Sequence, residues 1–77
     1  MNWIKALDDE LVRARTKFPR KYASGHEAYA VIREELEEYW EHVKADTYMT
    51  PGAKKELIQI AAMCVRAIED FTSEERI

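Results

Sequence analysis

The sequence contains very few of the residues that build cross-linked or turn-rich proteins. Among 77 residues there are one cysteine, Cys64, two glycines and two prolines. A single cysteine excludes an internal disulfide and gives no indication of an oxidising compartment. The scarcity of glycine and proline disfavours β architectures with many tight turns and also long disordered linkers. We therefore expect an all-α protein whose stability does not come from disulfides.

Long apolar runs and an excess of positive charge are also missing. No stretch approaches the roughly 18 consecutive apolar residues of a membrane span, and the first residues lack the regions of a signal peptide. These absences lead us to expect a cytoplasmic protein that does not bind membranes. The net charge of −3 argues against general nucleic-acid binding, because that binding needs a positive surface to displace counterions.

Three amphipathic helices are predicted from the spacing of the apolar residues, which recur every three or four positions. The predicted helices cover residues 2–18, 25–46 and 51–72 of a single domain, residues 1–77. Capping signals support each start. Asn2 and Thr50 are favourable N-caps, and Ser24 would form a capping box.

The third helix is apolar around most of its circumference. Between Leu57 and Ile68 only Gln59 and Arg66 are polar, whereas a surface helix of a lone three-helix bundle needs a narrower apolar stripe. A chain of this size also buries only about 60% of its unfolded surface. We therefore predict a homo-oligomer, a dimer or tetramer, in which the three-helix chain completes a four-helix-type bundle.

The second helix carries the densest acidic run, from Glu34 to Glu38 with Leu36 as its only neutral residue. Because residues three or four apart share a helix face, Glu34 and Glu35 both lie close to Glu38 and repel it. Solvent can relieve this repulsion. A divalent cation such as Mg²⁺, which prefers oxygen ligands, can relieve it as well. The periodicity alone leaves both interpretations open.

A second polar turn lies near the start of the third helix, where Glu56 is followed three residues later by Gln59. A lone glutamine in an apolar segment needs a hydrogen-bond partner if it is buried. In an antiparallel pair of the second and third helices, the turn with Glu35 and Glu38 can face the turn with Glu56 and Gln59. These four side chains are therefore candidate metal ligands.

The two turns resemble those of the MazG-like all-α nucleoside triphosphate pyrophosphohydrolases. The matching pattern is Glu34-Glu35-x-x-Glu38, seventeen further residues, and Glu56-x-x-Gln59. The resemblance implies helical subunits that dimerise or tetramerise and a Mg²⁺ cofactor, for which Mn²⁺ can substitute. It also implies a nucleotide substrate, NTP or dNTP, cleaved between the α and β phosphates to a monophosphate and pyrophosphate.

The resemblance assigns roles to individual residues. Glu35, Glu38 and Glu56 would be metal ligands, and Glu34 would be a further ligand or the base that activates water. The family's second motif normally ends in aspartate, where this chain has Gln59. The glutamine carbonyl oxygen can still bind a hard cation, but it brings one less negative charge. The alternative is a non-catalytic helical oligomer, namely a degenerate relative, a nucleotide sensor or a protein-interaction module.

Two further features have two interpretations each. The basic residues at the end of the first helix either complement its C-terminal dipole in solvent or contact substrate phosphates; they are Arg13, Arg15, Lys17, Arg20 and Lys21. His42 either pairs with Glu38 at the surface or acts in the site, as part of the metal site or of a proton relay. The aromatic residues of the helical stripes are expected in the core, and Trp40 is the one most suited to stacking on a nucleobase.

Overall fold

The computed structural model describes residues 2–46 and 48–72, and all regular structure in these residues is α-helical. The helices are α1 (Trp3–Lys17), α2 (Gly25–Ala45) and α3 (Pro51–Phe71). The prediction of an all-α chain with three helices is therefore confirmed for the described residues. None of these helices is both long enough and apolar enough to span a bilayer.

Each helix boundary lies within one residue of its predicted position. The predicted domain, residues 1–77, also includes residues 1, 47 and 73–77, which lie outside the described part of the chain. That the whole chain is one domain stays a prediction.

Each helix begins immediately after its predicted N-cap residue. The side chains of Asn2, Ser24 and Thr50 accept a hydrogen bond from the backbone N–H three residues further on, at 3.1, 3.2 and 3.0 Å. In the capping box, Glu27 accepts from the backbone N–H of Ala23 at 2.9 Å, one residue earlier than the usual partner. These contacts satisfy N–H groups that have no partner within the helix.

α3 is the central helix, because it packs against both α1 and α2. The core is small and consists of alanine and methionine side chains with a few aliphatic neighbours. Its buried members are Ala14, Ala62 and Met63, and Leu7, Val31 and Ile32 pack against them. Small alanine side chains let the helix backbones approach closely, so the acidic turns of α2 and α3 come near each other.

Much of the large apolar side-chain area faces outward. On α2, Tyr29, Leu36 and Trp40 are 62%, 52% and 55% exposed, and on α3 Ile68 is 64% exposed. The expectation that the aromatic residues of the helical stripes lie in the core of the chain is therefore wrong for Tyr29. α2 packs instead through the face that contains the buried Ala28, since this small residue allows close contact with α3.

The segment between α1 and α2 is held against the end of α3 by buried polar contacts. The Asp70 side chain, only 1% exposed, accepts hydrogen bonds from the Tyr22 backbone N–H at 3.1 Å and from Arg15 at 3.3 Å. Burial alone would raise the pKa of Asp70, but these two hydrogen bonds and the Arg15 charge hold the pKa below its ordinary value. The Tyr22 hydroxyl donates to the Met63 sulfur at 3.3 Å.

We expect Asp70→Ala to lower the free energy of unfolding by about 2–4 kcal/mol, because the Tyr22 N–H loses its acceptor in a buried position. Glu69→Ala is the matched control, since Glu69 binds the same Arg15 at 2.7 Å but is 54% exposed. The control should change stability by only about 0.5 kcal/mol. Urea denaturation at pH 7 measures both, and equal losses would contradict the account.

Candidate metal centre and adjoining cleft

Four polar side chains from α2 and α3 converge at one point. One carboxylate oxygen from each of Glu35, Glu38 and Glu56 lies within 4.8 Å of the others. In both helices the converging residues are three positions apart, so each pair occupies one face. The structure thus brings together three of the predicted ligands from turns that are distant in sequence.

The Gln59 amide is the fourth member of this acidic cluster. In the amide orientation that places its terminal nitrogen towards the carboxylates, Gln59 donates to Glu35 Oε2 at 3.0 Å and to Glu56 Oε2 at 3.1 Å. Rotation of the amide by half a turn places its oxygen at the same point. Gln59 can therefore bridge two carboxylates as a donor, or add an oxygen ligand for a cation that they share.

The electrostatics of the cluster centre on Glu35. Burial, a hydrogen bond with Glu56 and the negative charges of Glu38 and Glu56 raise the pKa of Glu35 to about 7. Near neutral pH this carboxyl group therefore holds a proton for part of the time, which it donates to Glu56. A cation placed between the carboxylates would replace that proton and favour the ionised form.

The donor set fits a hard divalent cation. All four groups offer oxygen, and neither thiolate nor imidazole, the ligands of softer metals, belongs to the converging set. Mg²⁺ binds oxygen at roughly 2.0–2.1 Å, so ligands on opposite sides of one ion are about 4.2 Å apart. Only two of three ligands can lie on opposite sides of one ion, and ligands at right angles are about 2.9 Å apart. The carboxylate oxygens, which lie within 4.8 Å of one another, therefore have to move closer together to bind one ion, and the exposed Glu38 side chain allows this movement.

Two other predicted residues lie beside the cluster but not in it. Glu34 is exposed and lines a neighbouring cleft, so its role as a base or further ligand stays a prediction. The predicted pairing of His42 with Glu38 is wrong, because the described residues contain no ion pair between them. The imidazole lies against Gly52 instead, where any Cβ would collide with it.

A cleft of about 460 Å³ adjoins the acidic cluster, within the range of small-molecule sites. Glu34, Glu35 and Gln59 line it, so the cleft connects directly with the candidate ligands. Four basic residues also line it, from α1, α3 and the segment between α1 and α2: Arg13, Lys17, Arg20 and Arg66. Three of the five basic residues predicted at the end of the first helix, Arg13, Lys17 and Arg20, thus face the cleft.

The other two of these five basic residues, Arg15 and Lys21, do not line this cleft. Arg15 instead forms ion pairs with Glu69 and Asp70 at the end of α3, and Lys21 is exposed. The interpretation as a solvated helix end therefore does not describe Arg15, while contact with phosphates stays a prediction for the residues that face the cleft.

Arg66 and Tyr22 were not among the predicted site residues. Arg66 is only 4% exposed, and its guanidinium carbon lies 4.4 Å from the centre of the Tyr22 ring. The sequence does contain a signal for Arg66. It lies seven residues after Gln59, on the same face of an otherwise apolar helix.

Comparisons with known proteins add no identification to this geometry. No family model matches the chain, and neither the curated proteins nor the solved structures searched give a match. Membership of the MazG-like family therefore stays a prediction from the two acidic turns. The chemistry of the site is argued from its own residues.

Proposed function

We propose that this protein is a Mg²⁺-dependent, MazG-like nucleoside triphosphate pyrophosphohydrolase, which cleaves NTP or dNTP to a monophosphate and pyrophosphate. The observation that carries the proposal is the convergence of Glu35, Glu38 and Glu56 with the Gln59 amide, at the edge of a cleft that four basic and four acidic side chains line. Carboxylates that meet across two helices repel one another unless a proton or a cation lies between them. An oxygen-lined site beside cationic side chains suits a metal–phosphate ligand.

The residues take distinct roles in this proposal. Glu35, Glu38 and Glu56 hold Mg²⁺ with Gln59 turned oxygen-inward, and bound Mg²⁺ would neutralise phosphate charge and lower the pKa of a bound water. Glu34, which is exposed and lines the adjoining cleft, would accept a proton from an attacking water as general base. The basic residues of the cleft orient the phosphate chain.

The test is Mg²⁺-dependent pyrophosphate release over a panel of NTPs and dNTPs, with Mn²⁺ as an alternative cofactor. We expect Glu38→Gln to lower the rate by about 100-fold or more, since it removes a charged ligand from the site. Glu37→Gln is the matched control. It removes the same charge one residue away, from a side chain that is 67% exposed and paired with Arg33.

The control should retain nearly full activity. Absence of turnover with every nucleotide and both metals would remove the enzymatic proposal. Equal rates of pyrophosphate release for Glu38→Gln and the wild type would contradict the proposed metal site. The activity would then belong to another site of the protein.

A second candidate function, a non-catalytic helical oligomer, is favoured by an outward apolar surface on α2 formed by Tyr29, Leu36 and Trp40. The exposed Ile68 on α3 also favours it. The three α2 residues share one face, because their spacings of seven and four correspond to near-whole turns. An exposed apolar stripe of this kind is typical of an interface. Self-association also accompanies the enzymatic proposal, so the oligomer by itself does not decide between the two functions.

We expect the wild-type protein to sediment as a dimer or tetramer and Leu36→Glu to shift it to the monomer, because a charge on this surface cannot be buried without a partner. Val12→Glu is the matched control. Val12 is 67% exposed on α1, outside the outward apolar surface, and this variant should keep the wild-type state. Analytical ultracentrifugation measures all three, and a monomeric wild-type protein would contradict the prediction.

A further inference from the structure

Arg66 is a buried cation with no direct ion pair, and the negative charges of Asp70 and Glu27 act on it only from beyond ion-pair distance. Its side chain is 4% exposed, and no carboxylate lies within ion-pair distance of it among residues 2–46 and 48–72. Its nearest polar partners are neutral, since Nη2 donates to the carbonyl oxygens of Phe18 at 3.4 Å and Arg20 at 3.0 Å. Burial of a charge whose direct hydrogen-bond partners are all neutral is unfavourable.

The hydrogen-bonding capacity of Arg66 is also largely unused. Nε is fully buried and has no partner, and Nη1 approaches only the Met63 sulfur, at 4.0 Å. A guanidinium has five N–H donors arranged to bind the oxygens of a carboxylate or phosphate. Because Arg66 lines the cleft, an anion that enters there can bring a negative charge and further acceptors to this guanidinium.

Lys17 provides a second cation at the same cleft. Its ammonium lies 5.4 Å from the centre of the Phe18 ring, and it too has no carboxylate partner in the described residues. The other two basic side chains of the cleft differ in this respect. Arg13 is paired with Glu10, and Arg20 is paired with Glu27. Among the described residues, the basic side chains of the cleft that form no ion pair are therefore Lys17 and Arg66.

We propose that Arg66 and Lys17 form a phosphate-binding site at the opposite end of the cleft from the acidic cluster. Gln59 and Arg66 are seven residues apart on one face of α3, or about 10 Å along the helix. A di- or triphosphate chain lying along the cleft then meets cationic side chains at one end and the carboxylates at the other. This orientation rests on the proposed function, whereas the phosphate site itself does not require the metal.

The test is calorimetric binding of inorganic tripolyphosphate in EDTA at low ionic strength. We expect the wild-type protein to bind, Arg66→Met to bind roughly tenfold more weakly or worse, and Lys17→Met to bind about threefold more weakly. Lys5→Met is the matched control. It removes one positive charge from the same helix about 18 Å away, where Lys5 pairs with Asp9.

Arg66 also holds the segment between α1 and α2, so Arg66→Met can lose affinity by unfolding. Circular dichroism checks its fold, and the exposed Lys17 gives an independent result in a position that does not support the core. Arg66→Lys, which keeps the charge but not the planar fork, should bind between the wild type and Arg66→Met. Equal affinities for the wild type, Lys17→Met and a folded Arg66→Met would overturn the proposal, as would absence of binding to the wild type.

The two proposals fail separately. Glu56→Gln removes a candidate metal ligand but should bind tripolyphosphate in EDTA at least as tightly as the wild type, because it removes a negative charge near the cleft. Binding without any nucleotide hydrolysis would support the phosphate site and contradict the proposed function. The opposite result is that Lys17→Met and Arg66→Met leave tripolyphosphate binding unchanged while nucleotide hydrolysis persists. It would support the proposed function and contradict the phosphate site.

Discussion

Glu35→Gln will stabilise the metal-free protein at pH 8 and abolish its stabilisation by Mg²⁺. At this pH the wild-type carboxyl group is ionised beside Glu38 and Glu56, in a partly buried position that raises its pKa to about 7. The neutral amide removes that repulsion, and we expect a gain in the free energy of unfolding on the order of 1–2 kcal/mol after solvent screening. The same change removes a metal ligand. Urea denaturation in EDTA and in excess Mg²⁺ measures both effects.

The stability of the metal-free protein depends on pH with a definite sign. The folded pKa of Glu35, about 7, lies above its ordinary value of 4.5, so the folded state binds more protons than the unfolded state between these values. Its contribution to metal-free stability is therefore fully present below about pH 4.5 and is lost as the pH rises through 7.

Metal binding has the opposite trend, because the cation needs the ionised carboxyl group. Stabilisation by Mg²⁺ or Mn²⁺ should grow as the pH rises through 7. Glu37→Gln is again the control and should keep both trends of the wild type. Metal stabilisation that is equal at pH 5.5 and pH 8, or that survives in Glu35→Gln, would contradict the assignment of Glu35 as a ligand.

We expect Gln59→Asp to destabilise the metal-free protein and to strengthen its binding of metal ions. It replaces an amide that donates to Glu35 and Glu56 with a fourth carboxylate, so the metal-free protein should lose about 1–3 kcal/mol of stability. The added negative charge should strengthen Mn²⁺ binding by roughly tenfold or more. Isothermal calorimetry with Mn²⁺ measures the affinity, and pyrophosphate release measures the effect on hydrolysis.

Gln59→Leu is the control for this substitution, because it keeps a similar volume and offers no oxygen to a cation. It should bind Mn²⁺ more weakly than the wild type. Hydrolysis that appears only in Gln59→Asp would favour a degenerate relative over an active enzyme. Weaker Mn²⁺ binding by Gln59→Asp than by the wild type would show that Gln59 does not face the cation.

The helices and the meeting of the acidic turns were predictable because both depend on local rules. Capping residues such as Ser24 and Thr50 define where helices begin, and a spacing of three places Glu35 with Glu38 on one face. An antiparallel α2–α3 pair then brings Glu56 opposite them. The close approach of the carboxylates follows from small core residues that the apolar pattern already contained.

The packing face of α2 and the basic part of the cleft were not predictable in the same way. Periodicity identifies an apolar face, but it does not distinguish a surface buried within the chain from one left outward, such as that of Tyr29 and Leu36. The position of Arg66 depends on contacts with Phe18 and Arg20 that are 48 and 46 residues distant in sequence. Such contacts arise only once α1 and α3 have packed.

The central claim is that Glu35, Glu38 and Glu56 share one cation, and a crystal structure of the protein in Mn²⁺ tests it most directly. We predict an anomalous density peak between α2 and α3, with a carboxylate oxygen from each residue within about 2.2 Å of the ion. The peak should disappear in Glu35→Gln crystals under the same conditions. Carboxylates that point apart into solvent, with no peak between the helices, would contradict the account.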